Sequence, residues 1–184
     1  AFCAGGDIKK FNECIEKGMT IPPEMPNRLH DMVETLRNLE KPVVASVHGA
    51  AAGAGAPLAI TCDLVVASED AVFNFAYARI GLSPDGSSTY FLPRHVGMKK
   101  AAEIFMTIPT YTAAEAKELG LVNWVVPADQ LAAKTEEIAG LLAKGPTKAF
   151  GRVKKLLNAT YDNTLHDLLA LETKLICESS ATAD

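Results

Sequence analysis

The sequence predicts an α/β domain followed by a helical C-terminal region. Short runs rich in β-branched residues, at 41–49, 64–70 and 71–75, are interleaved with helical or turn-rich segments, a pattern typical of α/β folds. After one more such run at 121–126, only helical patterns remain. We therefore expect a core of strands and helices with a helical unit after it.

The composition is that of one domain with an ordinary hydrophobic core. The chain has 184 residues, 48% of them apolar and 22% charged, and a net charge of −4. This acidic balance gives no electrostatic reason to expect nucleic acid, and no apolar run is long enough to cross a membrane. The four cysteines lack metal-binding spacing, so we expect reduced thiols, a cytosol-like compartment and no metal site.

The N-terminal part predicts two helices around a loop. Asp7 follows a glycine-rich turn and can cap a short helix. Residues 19–26 contain three prolines and are expected to form a loop, whereas apolar residues at helical spacing predict an amphipathic helix over 27–39. The chain opens without a methionine or a leading strand, so we expect a further segment upstream.

The middle of the chain predicts strands joined by short helices and turns. Residues 51–63 are expected to form a turn that runs into a short helix, and 81–97 are turn-rich. The remaining helices are predicted over 98–106, 112–119, 128–143, 146–158 and 162–178. Thr112 and Glu115 form a capping box at the start of one of them.

Two turns rich in glycine and alanine, at 4–7 and 48–55, each lead into a helix. Main-chain N–H groups at the start of a helix lack partners, and small side chains let a substrate oxygen reach them. Two such turns side by side would supply the two donors of an oxyanion hole. Each turn could equally be close packing through small residues.

Neither turn is a nucleotide-binding motif as written. Residues 48–55 follow a predicted strand, but the GxGxxG order is absent, and so is the lysine of a phosphate-binding P-loop. A dinucleotide-binding protein is kept as an alternative that titration with NAD would expose.

Three collinear blocks carry a family resemblance: AFCAGGDI at 1–8, KPVVASVHGAAAGAG through FLPRHVG at 41–97, and YTAAEAKELGLVNWVVP at 111–127. Together they resemble the crotonase (enoyl-CoA hydratase/isomerase) superfamily. The resemblance implies an α/β fold, with a ClpP/crotonase-like ββα spiral core over 1–127 whose N-terminal part is missing here. It also implies a helical trimerisation region over 128–184, with a short final helix beyond it.

The resemblance also implies where the substrate binds. Members of the family hold the carbonyl oxygen of a coenzyme A thioester on two main-chain N–H groups, which match Ala4 and Ala54 here. Gly5, Asp7 and Gly53 would lie beside them at the substrate, with Asp7 also capping its helix. Coenzyme A is then part of the substrate, and no further cofactor is implied.

The acid and base positions depart from the hydratase pattern. Hydratases of the family carry two glutamates, and the matching residues here are Pro57 and Tyr77, neither of which is a carboxylate. Asp85, in GLSPDGSS, matches a position where isomerases of the superfamily place a lone Asp or Glu. One carboxylate can remove a proton from one carbon and return it two carbons along. Pro-Asp-Gly is also an ordinary β-turn sequence.

Other residues are expected to have structural roles. Phe73, Phe75 and Tyr77 would form either a pocket wall or the strand core, and Tyr77 would line the acyl site. Ser87 and Ser88 lack a His/Asp partnership and are expected at a turn and helix start. One predicted helix carries a basic cluster that is either a solvated face or a contact with coenzyme A phosphates: Lys148, Arg152, Lys154 and Lys155.

The sequence therefore predicts an enoyl-CoA isomerase acting on a fatty enoyl-CoA or on a ring-derived acyl-CoA of phenylacetate degradation. We expect a homotrimer, or a hexamer built as a dimer of trimers, in the cytoplasm or in a mitochondrial or peroxisomal matrix. Two alternatives stay open: an enoyl-CoA hydratase, and a non-catalytic member of the family that binds RNA or serves as a scaffold.

Overall fold

The chain begins with a capped helix. In the computed structural model, which describes residues 1–182, α1 (Ile8–Glu16) starts directly after Asp7. The Asp7 carboxylate accepts the main-chain N–H groups of Lys9 at 3.1 Å and Lys10 at 3.4 Å. These bonds satisfy donors that a helix start leaves without partners, and they confirm the predicted cap.

The second helix begins earlier than predicted. α2 (Glu24–Asn38) starts before residue 27, so the prediction of a loop throughout 19–26 is wrong for its last three residues. Pro26 is compatible with this position because the first N–H groups of a helix have no intrahelical acceptor.

Two consecutive ββα units form the centre of the fold. The first unit comprises β1 (Val44–Val47), β2 (Ala50–Ala52) and α3 (Gly55–Thr61). The second comprises β3 (Leu64–Ser68), β4 (Val72–Asn74) and α4 (Ser88–Thr107). Each strand of the second unit pairs in parallel with its counterpart in the first, β1 with β3 and β2 with β4. This repeat is the ββα core that the sequence predicts.

Later elements complete two three-stranded sheets. They are β5 (Tyr111–Thr112), α5 (Ala113–Glu118), β6 (Trp124–Val126), a 3₁₀ turn (Ala128–Gln130), α6 (Leu131–Ala143), α7 (Thr147–Ala159) and α8 (Leu165–Ser180). β6 joins β3 in parallel, and β5 joins β4 in antiparallel orientation. The capping box of Thr112 and Glu115 at the start of α5 is confirmed.

Two of the predicted turns are regular structure instead. Ala50–Ala52 form strand β2, whose alanines carry no β-branched signal. α4 begins at Ser88, well before the predicted residue 98, although it contains Pro93 and is interrupted at Gly97, where φ is 78° and ψ 160°. The glycines and prolines of 81–97 predict turns, and this prediction is wrong from Ser88 onward. A helix forms there, and Gly97 interrupts it.

The main core lies between the two sheets and α3 and α4. Phe73 and Ile104 are completely buried, and Phe75 and Leu92 pack with them, as expected for strand-core aromatics. Burying a side chain of this size contributes about 1.5–3 kcal/mol. α6 covers the opposite face of β3 through a smaller cluster around Val66.

α3 approaches the N-terminal segment at van der Waals distance. A Cβ atom on Gly55 would overlap the carbonyl oxygen of Cys3 and lie 2.8 Å from its carbonyl carbon. Only glycine therefore fits at the first position of this helix, and the chain before α1 rests on the helix start.

A cluster of charged side chains, with Lys154 as its buried member, connects the other end of α3 to α2 and α7. Asp63 accepts hydrogen bonds from Arg37 at 2.9 Å and from Lys154 at 2.8 Å, and its carboxylate also accepts the Val43 N–H at 2.8 Å. Lys154 is 4% exposed, so its inclusion in a solvated face is wrong. Because its ammonium group is paired and also donates to the Leu36 carbonyl, the buried charge is compensated.

The division into a core at 1–127 and a helical region at 128–184 stays a prediction, and the last two residues of the second range lie outside the described part. Over residues 1–182, no helix is both long enough and apolar enough to cross a membrane.

Replacing Gly55 with alanine is expected to destabilise the protein by about 1–3 kcal/mol, because the new methyl group forces α3 away from Cys3. Gly140→Ala is the matched control: its methyl group meets nothing within 4 Å inside α6, so it should stabilise by about 0.5–1 kcal/mol. Urea unfolding of both variants checks this. If both variants changed the free energy of unfolding by the same amount and in the same direction, the close approach of α3 to Cys3 would be contradicted.

Cys62, which follows α3, is expected to react slowly with alkylating reagents. Burial, followed by the negative charge of Asp63, raises the pKa of the Cys62 thiol to about 11. Since the thiolate is the reactive form, its labelling rate should rise about tenfold per pH unit from pH 7 to pH 10. Timed iodoacetamide labelling read by peptide mass spectrometry measures this. A rate that levels off between pH 9 and pH 10, as for an ordinary cysteine with a pKa of about 8.5, would contradict it.

Candidate functional site

The two glycine- and alanine-rich turns lie side by side. Cys3 pairs in parallel with Ala51: its N–H donates to the Ala50 carbonyl at 3.1 Å, and its carbonyl accepts the Ala52 N–H at 2.9 Å. The segment before α1 therefore acts as a further short strand beside β2. This pairing brings residues 4–7 against residues 52–55.

Gly5 is the point of closest approach between these turns. Its φ is +93°, a conformation that favours glycine. A Cβ atom there would lie 3.0 Å from both the Ala52 carbonyl oxygen and the Ala54 nitrogen. Gly53, also at positive φ (+53°), makes the turn that leads into α3. Both glycines thus serve main-chain proximity, as the sequence predicts for small residues at these positions.

The N–H groups of Ala4 and Ala54, the two donors that the resemblance implies, are among those that this arrangement leaves open. The Gly53 N–H is taken by the Asn74 carbonyl at 2.9 Å. Within residues 1–182, neither Ala4 nor Ala54 donates a hydrogen bond from its main-chain nitrogen. Ala54 caps α3, where unpaired N–H groups and the helix dipole favour negative charge. Two unpaired donors on adjacent segments can bind one oxygen that develops negative charge.

Asp85 lies in the loop between β4 and α4. Its carboxylate Oδ1 is buried and has no hydrogen-bond partner within the described chain. A buried carboxylate oxygen without a partner is energetically costly, and such groups are found where a ligand or a reaction requires them.

The structure places the loop that carries Asp85 against both residues that match the hydratase glutamate positions. The Tyr77 hydroxyl donates to the Asp85 main-chain carbonyl at 3.3 Å. On the other side, Gly86 approaches Pro57: a Cβ atom added to Gly86 would lie 3.6 Å from Cγ of Pro57. Pro57 is fully buried in the first turn of α3, directly after the Ala54 cap. The loop that carries Asp85 thus lies against the helix that offers the Ala54 donor.

Tyr77 is held as a neutral hydroxyl. It is 8% exposed, in the 3₁₀ segment (Ala76–Ile80) that follows β4. Burial, and then the negative charge of Asp85, raises the pKa of Tyr77 far above its ordinary value. The hydroxyl therefore remains a hydrogen-bond donor at every pH at which the protein is folded.

Two contacts to the Asp85 loop could not be predicted from the sequence. His30 of α2 accepts the Gly86 N–H on Nε2 at 3.4 Å, and Thr61 at the end of α3 shares a 2.9 Å hydrogen bond with Ser87. Ser87 has a φ of +70°, a strained conformation for serine, and such strain is concentrated at functional sites. Ser87 caps α4 and Ser88 begins it, which confirms their predicted place at a turn and helix start.

The predicted Asp7 and basic-cluster residues lie apart from Asp85. The Asp7 side chain is about half exposed and caps α1. Lys148, Arg152 and Lys155 line a separate cavity of about 550 Å³ between α2, α7 and α8, which shares no lining residue with the two turns or the Asp85 loop. Whether these residues contact coenzyme A phosphates remains a prediction.

The similarity to known proteins extends over the whole chain. The family model described as enoyl-CoA hydratase/isomerase matches residues 1–184. The chain is 37% identical to a probable enoyl-CoA hydratase of Rhodobacter capsulatus over 184 residues, which is all of this chain and 70% of that protein. It is 36% identical to 1,2-epoxyphenylacetyl-CoA isomerase of Escherichia coli over 177 residues, covering 93% of this chain and 66% of that protein.

A solved structure shows the same fold. The crystal structure of an enoyl-CoA hydratase from Polaromonas sp. JS666 superposes with a TM-score of 0.90 at 34% identity, covering 98% of this chain and 70% of that one. The two turns, the ββα repeat and these similarities agree. The chain belongs to the enoyl-CoA hydratase/isomerase family, within the crotonase superfamily.

Proposed function

We propose that the protein is an acyl-CoA isomerase that moves a double bond in an enoyl-CoA, with Asp85 as its single base. The observation that carries this proposal is the buried and unpartnered Oδ1 of Asp85, close to the helix that carries the Ala54 donor. The chain spans 54–70% of the length of the curated relatives it matches, so the activity of the whole protein is itself part of the proposal.

The proposed reaction needs one base and two donors. The thioester carbonyl oxygen accepts hydrogen bonds from the N–H groups of Ala4 and Ala54. Asp85 removes a proton from the carbon next to the carbonyl, and the electron pair of that C–H bond forms an enolate conjugated with the double bond. The same carboxyl group then protonates the carbon at the far end of this system. The double bond ends conjugated with the thioester, and Asp85 returns to its carboxylate form.

The residues present favour isomerisation over water addition. Hydration with two glutamates needs one to activate water and one to donate a proton. Here Pro57 has no ionisable group, and burial and the Asp85 charge raise the pKa of Tyr77, so it stays a neutral hydroxyl rather than a charged base. A buried site also limits the water that would compete for the enolate. The Escherichia coli relative is named as an isomerase, while the Rhodobacter capsulatus relative is named as a hydratase.

The homotrimer or hexamer expected from the sequence is retained in the proposal. Apolar side chains remain exposed on the C-terminal helices: Leu157 of α7 is 65% exposed, and Leu165 and Ile176 of α8 are 74% and 70% exposed. Apolar surface of this kind is buried in oligomer interfaces. The cytoplasm, or a mitochondrial or peroxisomal matrix, remains the predicted location.

Asp85→Asn is expected to lower isomerisation of a 3-enoyl-CoA at least about 100-fold, because loss of a general base typically costs 10²–10⁴-fold. The measurement is conjugated enoyl-CoA formation, followed by its ultraviolet absorbance. Asp70→Asn, which alters an exposed aspartate between β3 and β4, is the matched control and should retain the full rate.

Crotonyl-CoA supplied to the unaltered protein distinguishes the hydratase alternative. We expect hydration to be far slower than isomerisation. Efficient hydration, or an Asp85→Asn variant with full isomerase activity, would overturn the proposed function and leave the family membership intact.

Ala54→Pro is expected to lower kcat by about 10²–10³-fold, the usual loss for one oxyanion-hole donor. Proline removes the N–H while its fixed φ near −65° matches the −63° of Ala54. Ala54→Gly keeps the N–H and is the control, expected to remain active. Steady-state kinetics on a 3-enoyl-CoA measure both, and similar loss in the two variants would point to distortion of the turn instead.

A further inference from the structure

The main-chain carbonyl of Asp85 is the most heavily bonded group in the site. It accepts the Ser88 N–H at 3.1 Å, the Ser88 hydroxyl at 2.6 Å and the Tyr77 hydroxyl at 3.3 Å. Ser88 is completely buried and Tyr77 nearly so, so water does not compete for these bonds. The backbone of the base is thereby fixed by two side chains from different elements.

The carboxylate of the same residue is left out of this network at Oδ1, which is buried without a partner. Both hydroxyls could have donated to a carboxylate, which is a stronger acceptor than a carbonyl. The hydroxyl protons are directed to the carbonyl instead, and Oδ1 keeps its lone pairs without a protein donor.

The Tyr77 hydroxyl can keep this role throughout the working pH range. Its raised pKa, caused by burial and by the Asp85 charge, keeps the proton on the oxygen. Its position is set by the 3₁₀ segment after β4, and Ser88 is set by the first turn of α4. The two donors thus tie the Asp85 loop to both adjoining elements.

We propose that Tyr77 and Ser88 are positioning residues that act through Asp85, holding its main-chain carbonyl so that Oδ1 faces the substrate without a protein donor. This inference rests on the proposed function, because it assigns Asp85 the role of base. It gives Tyr77 a role beyond lining the acyl site. Displacement of a reacting group by about 1 Å can cost about 100-fold in rate, so loss of one tether has a measurable effect.

Tyr77→Phe tests the inference with little change in packing. We expect kcat for 3-enoyl-CoA isomerisation to fall about tenfold, with KM changed less than twofold and an unchanged unfolding midpoint. Ser88→Ala should lower kcat in the same way. Tyr90→Phe is the matched control: Tyr90 lies at the exposed surface of α4, where its hydroxyl contacts Asp162 at 3.4 Å, and kcat should stay unchanged.

Measuring Tyr77→Phe in the Asp85→Asn variant distinguishes a positioning role from a purely structural one. If Tyr77 acts through Asp85, adding Tyr77→Phe to Asp85→Asn should cause no further loss in the residual rate. An additional tenfold loss in the double variant would overturn the inference, since Tyr77 would then act independently of the base.

The remaining outcomes separate this inference from the proposed function. A rise in KM with unchanged kcat in Tyr77→Phe would make Tyr77 only a wall of the acyl pocket and would overturn the positioning role. An Asp85→Asn variant with normal activity would instead overturn the proposed function itself.

Discussion

The contact between the segment before α1 and the start of α3 is the constraint on which the site depends. Gly55 permits it because any side chain there would overlap Cys3. Gly5 and Gly53 then bend the two main chains so that the N–H groups of Ala4 and Ala54 are left open on neighbouring segments. The small residues in HGAAAGAG therefore leave main-chain donors accessible without using any side chain, and under the proposed function alanine can supply such a donor as well as glycine.

α3 connects the Ala54 segment to the Asp85 loop and to the rest of the fold. Its first turn carries Ala54 and Pro57, and its last residue, Thr61, binds the strained Ser87 next to the Asp85 loop. Beyond that end, Asp63 pairs with cations from α2 and α7. A helix of seven residues would be marginal in isolation, so its position derives from these contacts at both ends rather than from helix propensity.

Much of this could be predicted from the sequence, and the exceptions have physical causes. The β-branched strands, the Asp7 cap and the Thr112 capping box are local signals, and the structure confirms each. Strand β2 consists of three alanines, which have no local strand preference and are ordered only by pairing with β4 and Cys3. Glycine and proline signals likewise concealed the first part of α4.

The candidate site shows the same division between local and tertiary information. Pro57, Tyr77 and Asp85 could be selected by resemblance, but the contact between Tyr77 and Asp85 depends on how the 3₁₀ segment and α4 meet. The roles of His30, Thr61 and Ser88 depend on packing between distant elements, for which the sequence holds no local pattern. Lys154 was expected at the surface because lysine is seldom buried, and only the tertiary partner Asp63 explains its burial.

The central claim, that one buried carboxylate both removes and returns the proton, is tested most directly by isotope transfer. The substrate is a 3-enoyl-CoA deuterated at the carbon next to the thioester, isomerised in ordinary water and analysed by mass spectrometry of the product. The account predicts that part of the deuterium appears two carbons along, because Asp85 carries it there before exchange with water. Product molecules without any deuterium at the carbon two positions along would contradict it, whatever deuterium remains next to the thioester.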